Sequence, residues 1–179
     1  MEKWKTTNSE YLFRRPWLTV RRDTIEHPDG RVNPEYYVLE YPDWVNVLAI
    51  TEDGRFLMIR QYRHGLDDIF VELVAGVSEP GETPLEAARR ELLEETGFGG
   101  GEWTLNTVLS ANPSTTNNLT YSFLATGVKP VSTQHLDPNE DIEILLLTEE
   151  EVRLLLDTDA IKQSLMAAPL WKYFATHKR

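Results

Sequence analysis

Residues 83–97 constrain this chain more than any other stretch. Thr83-Pro84-Leu85-Glu86 reads as a helix start: a threonine able to cap, a proline at the first helical position, and a glutamate where a capping box needs one. The spacing predicts a helix to about Thr96, stopped by Gly97 in a left-handed conformation. On that helix Glu91, Glu94 and Glu95 fall at i, i+3 and i+4 and share a face, while Leu85, Ala88 and Leu92 form a neighbouring stripe expected to pack. The formal charge is already −11, so three more clustered carboxylates destabilise the helix unless something positive meets them. Grouped carboxylates are the oxygen ligands that hard cations such as Mg²⁺ or Mn²⁺ prefer. Taken alone, the triplet reads more plainly as a solvated acidic face.

The rest of the chain is mostly strand. Trp17–Arg22 and Glu35–Glu40 flank a turn at His27-Pro28-Asp29-Gly30. Val45–Thr51 and Phe56–Gln61 form a hairpin across Glu52-Asp53-Gly54, and Ile69–Leu73 is a further short strand. Strands follow near Thr104–Ser110, Thr120–Ala125 and Ile142–Leu147, then helices over Glu149–Leu156 and Ala160–Ala175. This order predicts an α+β chain, a mixed sheet sandwiched by helices rather than a doubly wound parallel sheet. Residues 1–40 form an N-terminal β segment and 41–179 the main domain.

Composition narrows the partners. The strong negative charge argues against nucleic acid or an anionic membrane, but not against a phosphorylated small molecule, because a bound divalent cation reverses the local field. With no cysteine, thiolate catalysis and Cys-based metal sites are excluded. The N-terminal residues lack the apolar core of a signal peptide and no apolar run reaches membrane-spanning length, so a cytoplasmic protein is the expectation.

Read from Gly76, the chain gives Gly, five residues, Glu82, seven residues, Arg90-Glu91-Leu92, one residue, Glu94-Glu95, one residue, Gly97-Phe98. This resembles the Nudix box of the Nudix hydrolase superfamily at every defining position. The resemblance implies the Nudix α/β/α sandwich with a mixed sheet, plus a small N-terminal β segment. It also implies hydrolysis of a diphosphate with divalent metal, Mg²⁺ or Mn²⁺. Glu91 and Glu95 are then principal metal ligands. Glu94 ligates, holds a metal-bound water or moves a proton, and the Ala75 carbonyl is a further ligand. Glu82, Arg90, Gly76 and Gly97 hold the box in shape.

Outside the box, Ile59-Arg60-Gln61-Tyr62-Arg63, Glu72-Leu73-Val74-Ala75-Gly76 and Pro113 resemble the ADP-ribose pyrophosphatase branch. The implied substrate is a nucleoside diphosphate sugar such as ADP-ribose, cleaved to AMP and ribose phosphate. The acidic stretch from Pro138 resembles the loop that supplies a late metal ligand or general base, with Glu140 aligning best and Glu143 second. Arg60 and Arg63 are diphosphate contacts or surface charges. Trp17 stacks on a base or is buried in the core or at a subunit contact. The chain departs from the branch at Val74, where proline is frequent, and at Ser114–Asn118, where amides replace an acid. Asn118 can bind but cannot act as a base, which leaves that role to Glu140, Glu94 or Glu95. The N-terminal segment is short for a core of its own, which suits a homodimer. Hydrolysis of nucleoside triphosphates or dinucleoside polyphosphates, and a nucleotide-sensing module without catalysis, are the alternatives.

Overall fold

A computed structural model describes residues 1–177. The chain divides into two compact units, Met1–Pro42 with Ser110–Leu119, and Asp43–Leu109 with the chain from Thr120 onward.

In the first unit, β1 (Lys5–Arg15), β2 (Leu18–Glu26) and β3 (Val32–Glu40) form an antiparallel sheet in that order. β1 is a strand the sequence does not announce. All eleven of its residues are exposed, so there is no buried alternation for a period-two reading to detect. Between β2 and β3, Gly30 turns at φ 83 and donates its N–H to the His27 carbonyl at 2.9 Å. The segment Ser110–Leu119 docks beside β3. Leu39 donates its N–H to the Thr115 carbonyl at 2.7 Å, and the Tyr36 hydroxyl donates to the Ser114 carbonyl at 2.6 Å.

The second unit is built on β4 (Trp44–Thr51), β5 (Phe56–Arg63), β6 (Asp68–Glu72), β7 (Val74–Val77), β8 (Phe98–Gly99), β9 (Glu102–Leu109), β10 (Thr120–Pro130) and β11 (Ile142–Leu147). Its spine runs β11-β5-β4-β10-β8, with β6 on β5, β7 on β4 and β9 on β10. β4 and β10 pair in parallel and the other pairs are antiparallel, which makes the sheet mixed. Alternation along β4 splits the core. Val45, Val47 and Ala49 pack with Ala87, Ala88 and Leu92 of helix α1 (Pro84–Thr96). Leu48 packs with Val152 and Leu156 of α2 (Glu149–Asp157) and Leu170 and Phe174 of α3 (Ser164–Thr176). Helices therefore cover both faces.

Two local expectations change. The strand expected over Ile69–Leu73 ends one residue early: Ile69–Glu72 lie in β6, which pairs with β5, and after Leu73 the chain crosses to pair with β4 as β7. The last helix begins at Ser164 rather than Ala160, because Asp159 adopts φ 54 and the Ala160 N–H turns back to the Leu155 carbonyl at 2.8 Å.

Candidate metal and substrate site

The box helix starts as its residues dictate. Thr83 Oγ1 accepts from the Glu86 N–H at 3.3 Å while Glu86 accepts from the Thr83 N–H at 2.8 Å, a complete capping box with Pro84 in the first turn. It ends at Gly97, φ 71, whose N–H reaches the Leu93 carbonyl at 2.8 Å. A side chain at 97 would also strike the Ser132 carbonyl.

Glu91 and Glu95 do not lie on a solvated face. Ala87, Ala88, Glu91, Leu92, Glu95 and Thr96 make up the buried side of α1, so the two carboxylates extend the packing stripe instead of bordering it. Gly76 in β7 explains how Glu91 fits, because a Cβ there would overlap the Glu91 carboxyl group. Glu95 Oε2 accepts from the Ala75 N–H at 3.3 Å. Glu94 is turned outward and half-exposed.

Arg90 ties the box together. Its Nε donates to Glu82 Oε1 at 2.8 Å, and Nη2 to the Val77 carbonyl at 2.9 Å and Glu82 Oε2 at 3.1 Å. Nη1 reaches Glu91 at 2.9 Å and Glu94 at 3.0 Å. Glu82 also accepts from the Glu79 N–H at 3.0 Å, which pins the loop before the helix. The Arg90 contact, followed by that N–H, holds the Glu82 carboxyl below its usual range.

Electrostatically, the inner carboxylates are under strain. Burial pushes the Glu95 carboxyl up to about 8, with Glu91 and then Glu140 adding to the rise while the Ala75 N–H and Arg63 oppose it. Burial also raises Glu91, against Arg90, with Glu94 and Glu140 reinforcing it. Glu140 is therefore within electrostatic range of both, although its loop is exposed and its side chain caps the local turn, accepting from the Asp137 N–H at 3.0 Å.

Among the described residues no three acidic or histidine side chains close on one point as a finished cage. The donor set nevertheless suits a hard dication: only carboxylates, two of them buried and mutually repelling, next to the Ala75 backbone whose N–H donates to Glu95.

The other candidates fall into distinct surroundings. Arg63 donates three hydrogen bonds to buried Glu72, the shortest 2.6 Å, and lines a cavity of about 320 Å³ together with Ala75 and Gly76. Arg60 is paired across the sheet with Glu143, so these two exposed side chains neutralise each other. Trp17 is 84% exposed in the turn between β1 and β2. Asn118 is buried in the first unit and donates to the Pro42 carbonyl at 3.0 Å. Sequence reasoning did not single out Asn46, which is also buried and lines the cavity beside Arg63. The available signal was one amide inside the apolar run Val45–Ile50.

A capped helix carrying buried acids over a mixed sheet defines a class, and the chain belongs to the Nudix family. The NUDIX domain model matches residues 40–168. The N-terminal portion, residues 4–39, matches the nucleoside diphosphate sugar hydrolase N-terminal domain. Among relatives, an ADP-ribose pyrophosphatase of Bacillus subtilis is 30% identical over 86% of this chain and 83% of its own length. A methanol dehydrogenase activator of Bacillus methanolicus is 31% identical over 82% of this chain and 80% of its own. A crystal structure of an ADP compounds hydrolase superposes with a TM-score of 0.86 at 24% identity, covering 100% of this chain and 98% of that one, and shows the same fold. Nudix hydrolases generally use divalent metal ions.

Proposed function

We propose that this protein is a Nudix pyrophosphohydrolase that splits the diphosphate of a nucleoside diphosphate sugar, ADP-ribose being the type substrate. The carrying observation is the burial of Glu91 and Glu95 side by side next to Ala75, in a chain whose residues 4–39 match a nucleoside diphosphate sugar hydrolase N-terminal domain. The B. subtilis relative carries the name ADP-ribose pyrophosphatase, which supports the same reading.

Glu91, Glu95 and the Ala75 carbonyl would hold the metal, with Glu94 and Glu140 as the outer carboxylates. Mg²⁺ is the ion of choice and Mn²⁺ the substitute, since both take oxygen ligands. When bound there, the ion would draw charge off the phosphoryl oxygens and lower the pKa of water. Glu140 or Glu94 then accepts the proton of the attacking water, because both carboxylates are solvent-accessible. Arg63, already oriented by Glu72, neutralises the diphosphate. Arg90, Glu82, Gly76 and Gly97 keep the box rigid. Trp17 and Asn118, both in the first unit, are the substrate contacts we assign there.

A homodimer belongs to the same proposal. β1 exposes Tyr11, Leu12 and Phe13, an apolar edge that a second copy would cover. We place the protein in the cytoplasm, in line with N-terminal residues that lack the apolar core of a signal peptide. Among the described residues no helix is long and apolar enough to cross a membrane.

The test is incubation with a panel of nucleoside diphosphate sugars and Mg²⁺, followed by product separation. The expected products are one nucleoside monophosphate and one sugar phosphate, with turnover lost on chelation. Failure to cleave any member of the panel overturns the proposal.

A further inference from the structure

The last carbonyls of a helix have no partner inside it, and those of α1 are met mainly from one segment of chain. The His135 N–H donates to the Glu94 carbonyl at 2.8 Å, and Gln134 Nε2 donates to the Glu95 carbonyl at 2.7 Å. Val131 and Ser132 donate their N–H groups to the Gly97 carbonyl at 2.9 and 3.0 Å. Residues 131–135 therefore finish the box helix, whose last turn carries no basic side chain to do so.

Gln134 does more than cap. Its Nε2 also donates to the Ile142 carbonyl at 3.1 Å, at the first residue of β11. Both partners are carbonyls, so the amide orientation is settled, since only the nitrogen can donate to them. One side chain thus ties the end of α1 to the start of β11. Between those two points the chain passes Leu136, which packs against the core, and then the exposed turn Asp137–Asp141. That turn bonds inward: the Asp137 N–H donates to Glu140 Oε2 at 3.0 Å and the Glu140 N–H to the Asp137 carbonyl at 2.9 Å. Glu140 stands two residues before Ile142, so the Gln134 clamp closes the base of the turn that carries it.

We propose that Gln134 is a positioning residue: by holding the Glu95 and Ile142 carbonyls with one nitrogen, it fixes where Glu140 stands relative to the acids of the box helix. A carboxylate on an exposed turn has many positions open to it, and anchoring the base of the turn removes most of them before substrate arrives. The charge of Glu140 is felt at both Glu91 and Glu95, as the anchored position requires. This rests on the reading of Glu140 as an outer carboxylate of the hydrolytic site and adds the residue that sets its place.

Two measurements test it. The first is a double-mutant cycle of Gln134→Leu and Glu140→Gln, assayed with Mg²⁺ and the best substrate of the nucleotide-sugar panel. Leucine keeps the bulk of the side chain and removes the donors. The expected result is a fall in kcat of about tenfold in Gln134→Leu, the scale of one lost hydrogen bond, with KM little changed. Added to Glu140→Gln, the same substitution should cost nothing further, because the carboxylate it places is already gone. Equal falls in both backgrounds make Gln134 a helix cap alone and overturn the proposal. Wild-type kcat in either single variant overturns it as well. If Gln134→Leu fails to fold, Gln134→Asn, too short to reach both carbonyls, replaces it in the cycle.

The second needs neither metal nor substrate. Amide hydrogen exchange at Glu140 is compared between the metal-free wild type and the Gln134 variant. Exchange about tenfold faster in the variant, with the β4 amides of Val47 and Leu48 unchanged, supports the clamp. Equal protection at Glu140 in the two proteins overturns it. A wild type that cleaves no substrate defeats the functional proposal instead, and the exchange experiment still decides whether Gln134 holds the turn.

Discussion

Gly76 and Glu91 compete for the same space: the glutamate's carboxyl group occupies the position that a Cβ at residue 76 would fill. One is in β7 and the other on α1, so the missing side chain on the strand is what admits the acid to the interior. Gly76→Ala should therefore act on the site more than on the fold. The displaced atoms are the end of a side chain rather than backbone, so the protein folds, with Glu91 pushed off its position. We expect kcat/KM to fall about a hundredfold, as when a metal's supporting residues are lost, with only a modest drop in Tm. Full activity with unchanged Mn²⁺ affinity in the purified variant would contradict the shared-volume relationship.

Glu95 links the site to pH. Its carboxyl is held at about 8 in the fold against 4.5 for the ordinary group, with burial as the main cause. Between those values the folded protein keeps a proton that the unfolded chain has released. Raising the pH through this window then favours unfolding, and Glu91, raised for the same reason, acts in the same direction. Metal-free protein should lose thermal stability from about pH 5 to pH 8, and saturating Mg²⁺ should recover most of the loss at the upper end by binding the ionised form. A metal-free Tm that climbs across this window would show that the carboxylates are not strained as described.

The same strain gives opposite signs for stability and activity in Glu95→Gln. The amide removes a buried charge that no cation among the described residues pairs directly, and it can still accept from the Ala75 N–H. At pH 8 without metal the variant should melt above the wild type. Hydrolysis should fall by about a hundredfold or more, because a neutral amide is a poorer ligand for a hard dication than the carboxylate it replaces. Melting curves and initial rates on one preparation decide the matter, and a variant that is both less stable and fully active would refute the assignment.

How much of this was legible in the sequence follows from what kind of signal each residue leaves. The capped start at Thr83, the stop at Gly97 and the order of strands and helices are local chemistry, and the structure keeps them. The orientation of the glutamates is not local. A helical-period reading counts Glu91 and Glu95 as polar and places them beside the packing stripe. Their burial depends on Gly76, fifteen residues upstream of Glu91, leaving a gap in β7. Asn46 was missed for a related reason: one amide in an apolar strand carries no periodicity, and its significance appears only when α3 comes to rest against it. β1 was missed because it buries nothing, so only its pairing with β2 defines it.

Arg90 provides the last prediction, because its role depends on shape as much as on charge. The guanidinium serves five acceptors at once: both oxygens of Glu82, the Val77 carbonyl, Glu91 and Glu94. A lysine keeps the positive charge but not the planar fork, and its single ammonium cannot reach that set together. Arg90→Lys should therefore resemble Arg90→Ala more than the wild type. In both, urea unfolding should show a loss of about 1–3 kcal/mol, the scale of charge-assisted hydrogen bonds broken in a half-buried setting. Activity should fall in both as well, since the β7 carbonyl, the Glu82 loop and the α1 acids are no longer held to one group. If Arg90→Lys unfolds at the wild-type midpoint and retains wild-type kcat/KM, charge alone accounts for the residue and the fork has no part in holding the box.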